Sequence, residues 1–253
     1  MVCDKGRRRP RAPGARGLVW LGLGALLVAG PVTGVGHAAR RTVPGGTRTG
    51  RAPLRVPRAA QAGEVGNCGP TAAAMLLAAY ADGPARAEAL RDAVGRWTWD
   101  RFPLRRVALP GYDAGMTTPT MLLHALRHFA PHVRWRDGFD HPWLPREVHA
   151  LATLRGYLDE GRPVLALVQT RVLWGFDAPG LHWVVVRGLR DGQVLFNDPG
   201  DGLVGRVPVA QFYEAWRLDP LFRHLGSITS FVGLVADRPL PAARGVARAS
   251  GGR

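Results

Sequence analysis

Residues 181–199 read Leu-His-Trp-Val-Val-Val-Arg-Gly-Leu-Arg-Asp-Gly-Gln-Val-Leu-Phe-Asn-Asp-Pro. Two β-rich runs flank Asp191-Gly192, a dipeptide that readily takes the positive φ of a tight hairpin turn. The pattern predicts antiparallel strands over 181–189 and 193–197, with Pro199 stopping the second. Working outward, Pro163–Gln169, Val204–Val209 and Ser227–Val235 are further strand candidates, and Gln211–Leu218 reads as a short helix between the last two. The first half reads differently. Cys68–Ala81 opens with Gly-Pro-Thr and continues Ala-rich, and proline suits a first helical turn because its missing N–H is an orphan there anyway. Pro84–Trp97 reads as a second helix. Thr118-Pro119 predicts an N-cap and first-turn proline leading into Met121, Leu122, Ala125, Leu126 and Phe129. Pro145–Glu160 sets Val148, Leu151, Leu154 and Leu158 at helical spacing, and Gly161 stops it. Helices first and strands second predict an α+β fold, with N-terminal helices packed on a C-terminal antiparallel sheet.

The 253 residues and 46% hydrophobic content fit a core of moderate size. The net charge of +15 is unevenly distributed. Residues 1–38 contribute +5, residues 39–60 contribute +6 and residues 61–253 only +4. A nucleic-acid binder is expected to carry its basic face on the folded part. Here that part is nearly balanced, which argues against a nucleic-acid partner.

Arg7-Arg8-Arg9-Pro10-Arg11, then the apolar run Gly17–Val32, then Gly36-His37-Ala38 follow the basic, apolar, small order of a secretory signal. The apolar run is short for a membrane span, which needs ~20 residues. The expectation is export to the periplasm or outside after cleavage near Ala38, with no stable span in the mature chain. The alternative is a membrane tether through an uncleaved signal anchor. Residues 39–60 are rich in Arg, Pro, Gly and Thr and read as a disordered linker, 61–237 as the folded domain and 238–253 as a disordered tail. Of two cysteines, Cys3 lies in the signal, so the mature chain keeps only Cys68 and has no internal disulfide.

Cys68 opens a predicted helix, whose N-terminal field and N–H groups stabilise a thiolate and an oxyanion. Gly69 beside it leaves room for a substrate backbone. His182 opens an apolar strand and is placed to take the thiol proton. Asp198 ends the next strand and is placed to orient the imidazole. A buried core cysteine, a structural histidine and plain Asp-Pro turn chemistry are the competing readings. A strict two-residue turn would set Asp198 opposite Val185, on the wrong face for His182. A bulge or longer loop, for which Gly188 or Gly192 offers flexibility, is therefore expected.

Cys68-Gly69-Pro70-Thr71, Leu181-His182-Trp183-Val184-Val185-Val186 with Gly188, and Asn197-Asp198-Pro199 together resemble the motif blocks of the double-glycine-peptidase-like family. This group is related to bacteriocin-leader peptidases among the papain-like cysteine peptidases. Gly161-Arg162-Pro163-Val164 and the 118–126 helix resemble it too, so the likeness spans about 61–210. The resemblance implies a papain-like fold, a Cys68 nucleophile, a His182 base and an Asp198 orienter. It also implies an oxyanion-hole glutamine upstream of the cysteine. Gln61 is the candidate, seven residues before Cys68 and one more than the usual family spacing.

His124, His128 and His132 recur every four residues, a spacing that can hold zinc. Pro131 should end the helix before His132, and no carboxylate or cysteine joins them, so a solvated face is expected and no metal. Trp97, Trp99, Phe102, Tyr112, Trp135, Phe139 and Trp143 serve either the core or a peptide-binding rim. Gly45-Gly46 is a candidate self-processing site. No phosphate loop or dinucleotide fingerprint occurs, so no cofactor is expected. The sequence thus points to an exported, monomeric cysteine peptidase acting on peptides through a thioester acyl-enzyme. Two readings stay open beside it. One is another thiol acyl-transfer enzyme, an amidase or transglutaminase-like activity. The other is a non-catalytic peptide-binding domain.

Overall fold

A computed structural model of the chain describes residues 52–61, 66–81, 86–103, 106–109, 112–115, 117–140, 145–176, 180–218 and 230–241. The signal segment and Gly45-Gly46 lie outside these residues.

Helix α1 (Cys68–Tyr80) is apolar all round, and twelve of its thirteen residues are buried. Such a helix belongs at the centre of a fold. α2 (Ala87–Arg101) packs against it. A two-stranded hairpin, β1 (Arg106–Leu109) and β2 (Tyr112–Gly115), follows. α3 (Pro119–Phe129) starts as its sequence dictates, with Pro119 in the first turn and Thr118 Oγ1 accepting from Met121 N at 3.3 Å. After β3 (Trp135–Asp137) comes α4 (Arg146–Asp159). Gly161 ends it at φ +82, with its N–H donating to Leu158 O and that of Arg162 to Tyr157 O, both last-turn carbonyls. Its buried stripe is Ala150, Leu154 and Leu158, whereas Val148 is 70% exposed. Leu154 and Leu158 are buried as expected and Leu151 is half-buried, while Ala150 takes the place expected for Val148.

β4 (Val164–Gln169), α5 (Thr170–Trp174), β5 (Leu181–Arg190), β6 (Gln193–Asn197), β7 (Val204–Pro208), α6 (Val209–Arg217) and β8 (Gly233–Ala236) complete the order. The main sheet has six strands in the order β3-β8-β4-β5-β6-β7, each pair antiparallel. Side-chain alternation divides the core. Leu165, Leu167, Trp183 and Val185 face α1 and α3. Val164, Ala166, Val168, Val184, Val186 and Phe196 face α4, α5 and α6. β4 is buried on both faces, which explains its unbroken apolar run. The α+β expectation holds, with helices on both sides of the sheet.

Residues 52–60, expected within a disordered linker, form an extended strap on the sheet. Leu54 N donates to Arg187 O at 2.8 Å and Asn197 Nδ2 to Val56 O at 3.0 Å. Val56 and Ala59 are buried. At the other end, Leu240 N donates to Gly161 O and Tyr80 Oη to Arg238 O, so the ordered chain runs past the expected boundary at 237. Backbone donors and acceptors supply these contacts, and composition does not reveal them.

Gly233 sits in β8 where an added Cβ would run into the Phe139 ring and press on Val164. Gly233→Ala is expected to lower stability by about 1–3 kcal/mol, read as a lower urea midpoint with an unchanged slope.

Candidate active site

Gly66, at φ +94, turns the chain into α1 and delivers Cys68 as the first helical residue. Asn67 does not cap the helix with its side chain. Its Oδ1 accepts from Trp99 Nε1 at 2.7 Å instead. The Cys68 thiol therefore sits in the positive field of a helix N-terminus, itself 6% exposed.

Gly69 has a different role from the one its lack of a side chain suggested. A Cβ there would overlap Thr117 Oγ1 and crowd the Trp183 ring. The space belongs to the protein, not to a substrate. Trp183 Nε1 donates to Thr117 O at 3.2 Å, which closes the wedge. Gly69 follows Cys68 and Trp183 follows His182, so this contact docks the start of α1 against the start of β5. The position of Trp183 beside a strand histidine was the available sequence signal.

His182 lies in β5 opposite Val168 and is 1% exposed. The β5–β6 ladder contains the expected irregularity. Arg190 pairs with Gln193 and Gly188 with Leu195, but Val186 pairs with Phe196 and Val185 with Asn197. Arg187 is thus an extra residue on β5, a bulge. The slip carries Asp198 to the level of Val184, on the face that also holds His182. His182 Nε2 and Asp198 Oδ1 are 2.8 Å apart. Gly200 N donates to the same Oδ1 at 2.7 Å, and Asp198 N donates to Leu203 O at 2.9 Å. The turn thereby holds a carboxylate that is 4% exposed. With Nε2 turned to Asp198, Nδ1 remains for the Cys68 thiol, which hydrogen-bonds the ring. The Trp174 ring stands edge-on to the imidazole at 5.2 Å and covers it on the α5 side. Trp174 belongs to the aromatic run Trp174-Gly175-Phe176 just before the histidine strand, which is a sequence signal, whereas Gly200 had none.

Gln61 ends the strap. Its N–H donates to Pro199 O at 2.6 Å, one residue beyond Asp198, and its Oε1 is buried without a partner among the described residues.

The family described as Peptidase_C39 like family matches residues 53–219, a span that includes the strap, Cys68, His182 and Asp198. The chain belongs to the C39-like peptidase family. Two solved structures resemble it. One is of a C39-like peptidase from Bacillus anthracis, at 16% identity and a TM-score of 0.50, covering 76% of this chain and 100% of that one. The other is of the Pseudomonas avirulence protein AvrPphB, at 11% identity and a TM-score of 0.31, covering 67% of this chain and 89% of that one. No curated protein matches the sequence. Family and fold together support a cysteine peptidase with peptide substrates. Among the described residues no helix is long and apolar enough to cross a membrane.

In this C39-like chain the α3 histidines lie on an exposed face. His128 stacks on Trp97 with ring centroids 4.8 Å apart, and His124 stands 6.4 Å from Phe102. Trp135 and Phe139 are core residues, while Tyr112 and Trp143 fall outside the described side chains.

Burial alone would disfavour a charged His182. The Asp198 hydrogen bond and the Cys68 partner outweigh it and raise the imidazole to about 9. A raised folded pKa gives stability that is full below the unfolded value of ~6.5 and is lost as pH climbs through the folded one. The urea midpoint of wild type, measured against His182→Gln, is therefore expected to fall between about pH 6.5 and 9. A pH-independent difference over that window would contradict the shift.

Proposed function

We propose that the protein is an exported cysteine peptidase in which Cys68, His182 and Asp198 form the catalytic triad. The observation that carries this reading is one buried ring, His182, hydrogen-bonded to both Asp198 and Cys68. The imidazolium keeps Cys68 as thiolate. The thiolate attacks the scissile carbonyl carbon, and the electron pair moves to the oxygen. The Cys68 N–H and the Gln61 amide stabilise that oxyanion. The carbon–nitrogen bond then breaks as His182 gives its proton to the leaving amine, which leaves a thioester on Cys68. A water molecule, deprotonated by His182, attacks the thioester. The acid product departs and the thiolate is restored. Asp198 keeps Nε2 protonated and Nδ1 directed at sulfur throughout. The basic, apolar and small segments of residues 1–38 support export.

Alkylation by iodoacetamide tests this in the full chain, with sites read by mass spectrometry. Free N-acetylcysteine alkylated in parallel serves as the reference, a thiol with a pKa of ~8.5. Cys68 is expected to react at pH 6, where the free thiol is nearly silent, and to lose that reactivity in His182→Ala. Cys68 reactivity that follows the free thiol across the whole pH range would overturn the ion pair. In a quenched-fluorescence peptide library, Cys68→Ala is expected to abolish cleavage. Gln61→Ala is expected to lower kcat by roughly 10²-fold with the alkylation profile unmoved.

A further inference from the structure

The bulge that aligns Asp198 with His182 also builds a second site. Arg187, the extra residue, faces the strap. Together they form an open concavity of about 490 Å³ whose lining includes Arg55, Arg58 and Arg187. That volume lies within the range of small-ligand sites. None of the three arginines meets a carboxylate among the described residues. Arg187 gives Nη1 to Leu54 O at 3.3 Å, and its Nε is buried without a partner among the described residues. Burial, and then repulsion from Arg58, make its positive charge costly. A half-buried guanidinium with two exposed arginines lining the same concavity, and no carboxylate on any of them among the described residues, favours an anion.

The rest of the lining restricts which anion. Val56, Pro57 and Val204 supply apolar wall, and Leu203 beside Val204 is 58% exposed. An inorganic ion would leave this surface in water. A carboxylate carried on a peptide would place apolar neighbours against it and offer the planar, two-oxygen face that arginine binds best. Val204 also opens β7, the outermost strand of the sheet, so an extended peptide can approach from that side.

We propose that the pocket between residues 55–58 and the Arg187 bulge binds a peptide carboxylate, separately from the Cys68 centre. The carboxylate is either a free C-terminus or an acidic side chain flanked by apolar residues.

Fluorescence anisotropy on the full chain carrying Cys68→Ala reads binding without turnover, whatever the catalytic role of Cys68. The probes are fluorescein-labelled Ala-Leu-Val-Leu as free acid, the same peptide as C-terminal amide, and Ala-Leu-Asp-Leu amide. Saturable binding of the free acid, with the first amide at least tenfold weaker, assigns the C-terminal carboxylate. Recovery with the Asp-containing amide assigns the side chain. Arg187→Gln and the double change Arg55→Gln with Arg58→Gln are each expected to weaken binding roughly tenfold or more. The strap pair controls for any disturbance of the bulge by the first variant. Overturning results are no saturable binding, equal binding of all three peptides, or affinity unchanged in both variants. Displacement by sodium phosphate at the peptide's own concentration would also overturn it, in favour of a general anion site.

Discussion

The architecture converges on one buried contact, the 2.8 Å hydrogen bond between His182 Nε2 and Asp198 Oδ1. Both side chains are almost wholly removed from water. A charged pair in that position is tolerated only where its remaining valences are met, and removing one partner costs about 3–5 kcal/mol. Here Gly200 N satisfies the carboxylate from one side and the Cys68 thiol takes the other ring nitrogen. Trp174 covers the imidazole from the α5 side. These partners outweigh the cost of burial and let the ring keep its charge, and that is the condition a thiolate partner needs.

That contact exists because the hairpin is out of step with itself. The Asp191-Gly192 turn, with both residues at positive φ, sets the pairing at the tip. The end that carries His182 and Asp198 is paired one residue differently, and Arg187 absorbs the discrepancy. The expelled Arg187 is then fastened to the strap at Leu54. The strap goes on past Asn197 to Pro199 and ends at Gln61. One backbone irregularity thus organises the His182–Asp198 pair, the approach of Gln61 and the arginine-lined concavity.

Much of this was legible from residue pattern. Residue pattern located α1, α3 and α4 and the strands β4 to β7 to within a few residues: first-turn prolines and helical spacing for the helices, short apolar runs bounded by Gly, Pro and Asp for the strands. The bulge was legible from chemistry, since an unbroken register would have put Asp198 on the wrong face. Other features depend on partners distant in sequence. The strap reads as disorder because Arg and Pro are typical of linkers, yet its order comes from Arg187, Asn197 and Pro199. β3 is only three residues long and is held by pairing with β8. Gly69 suggested an open approach to sulfur, but whether a gap is filled by substrate or by Thr117 is decided in three dimensions.

The account stands on a charged His182 facing Cys68. The most direct test is the ionisation of that ring, followed by ¹⁵N NMR of histidine-labelled full-length protein with the resonance assigned by its loss in His182→Gln. The account predicts an imidazolium through neutral pH that titrates at about 9. A midpoint at or below the ordinary histidine value of ~6.5 would contradict it.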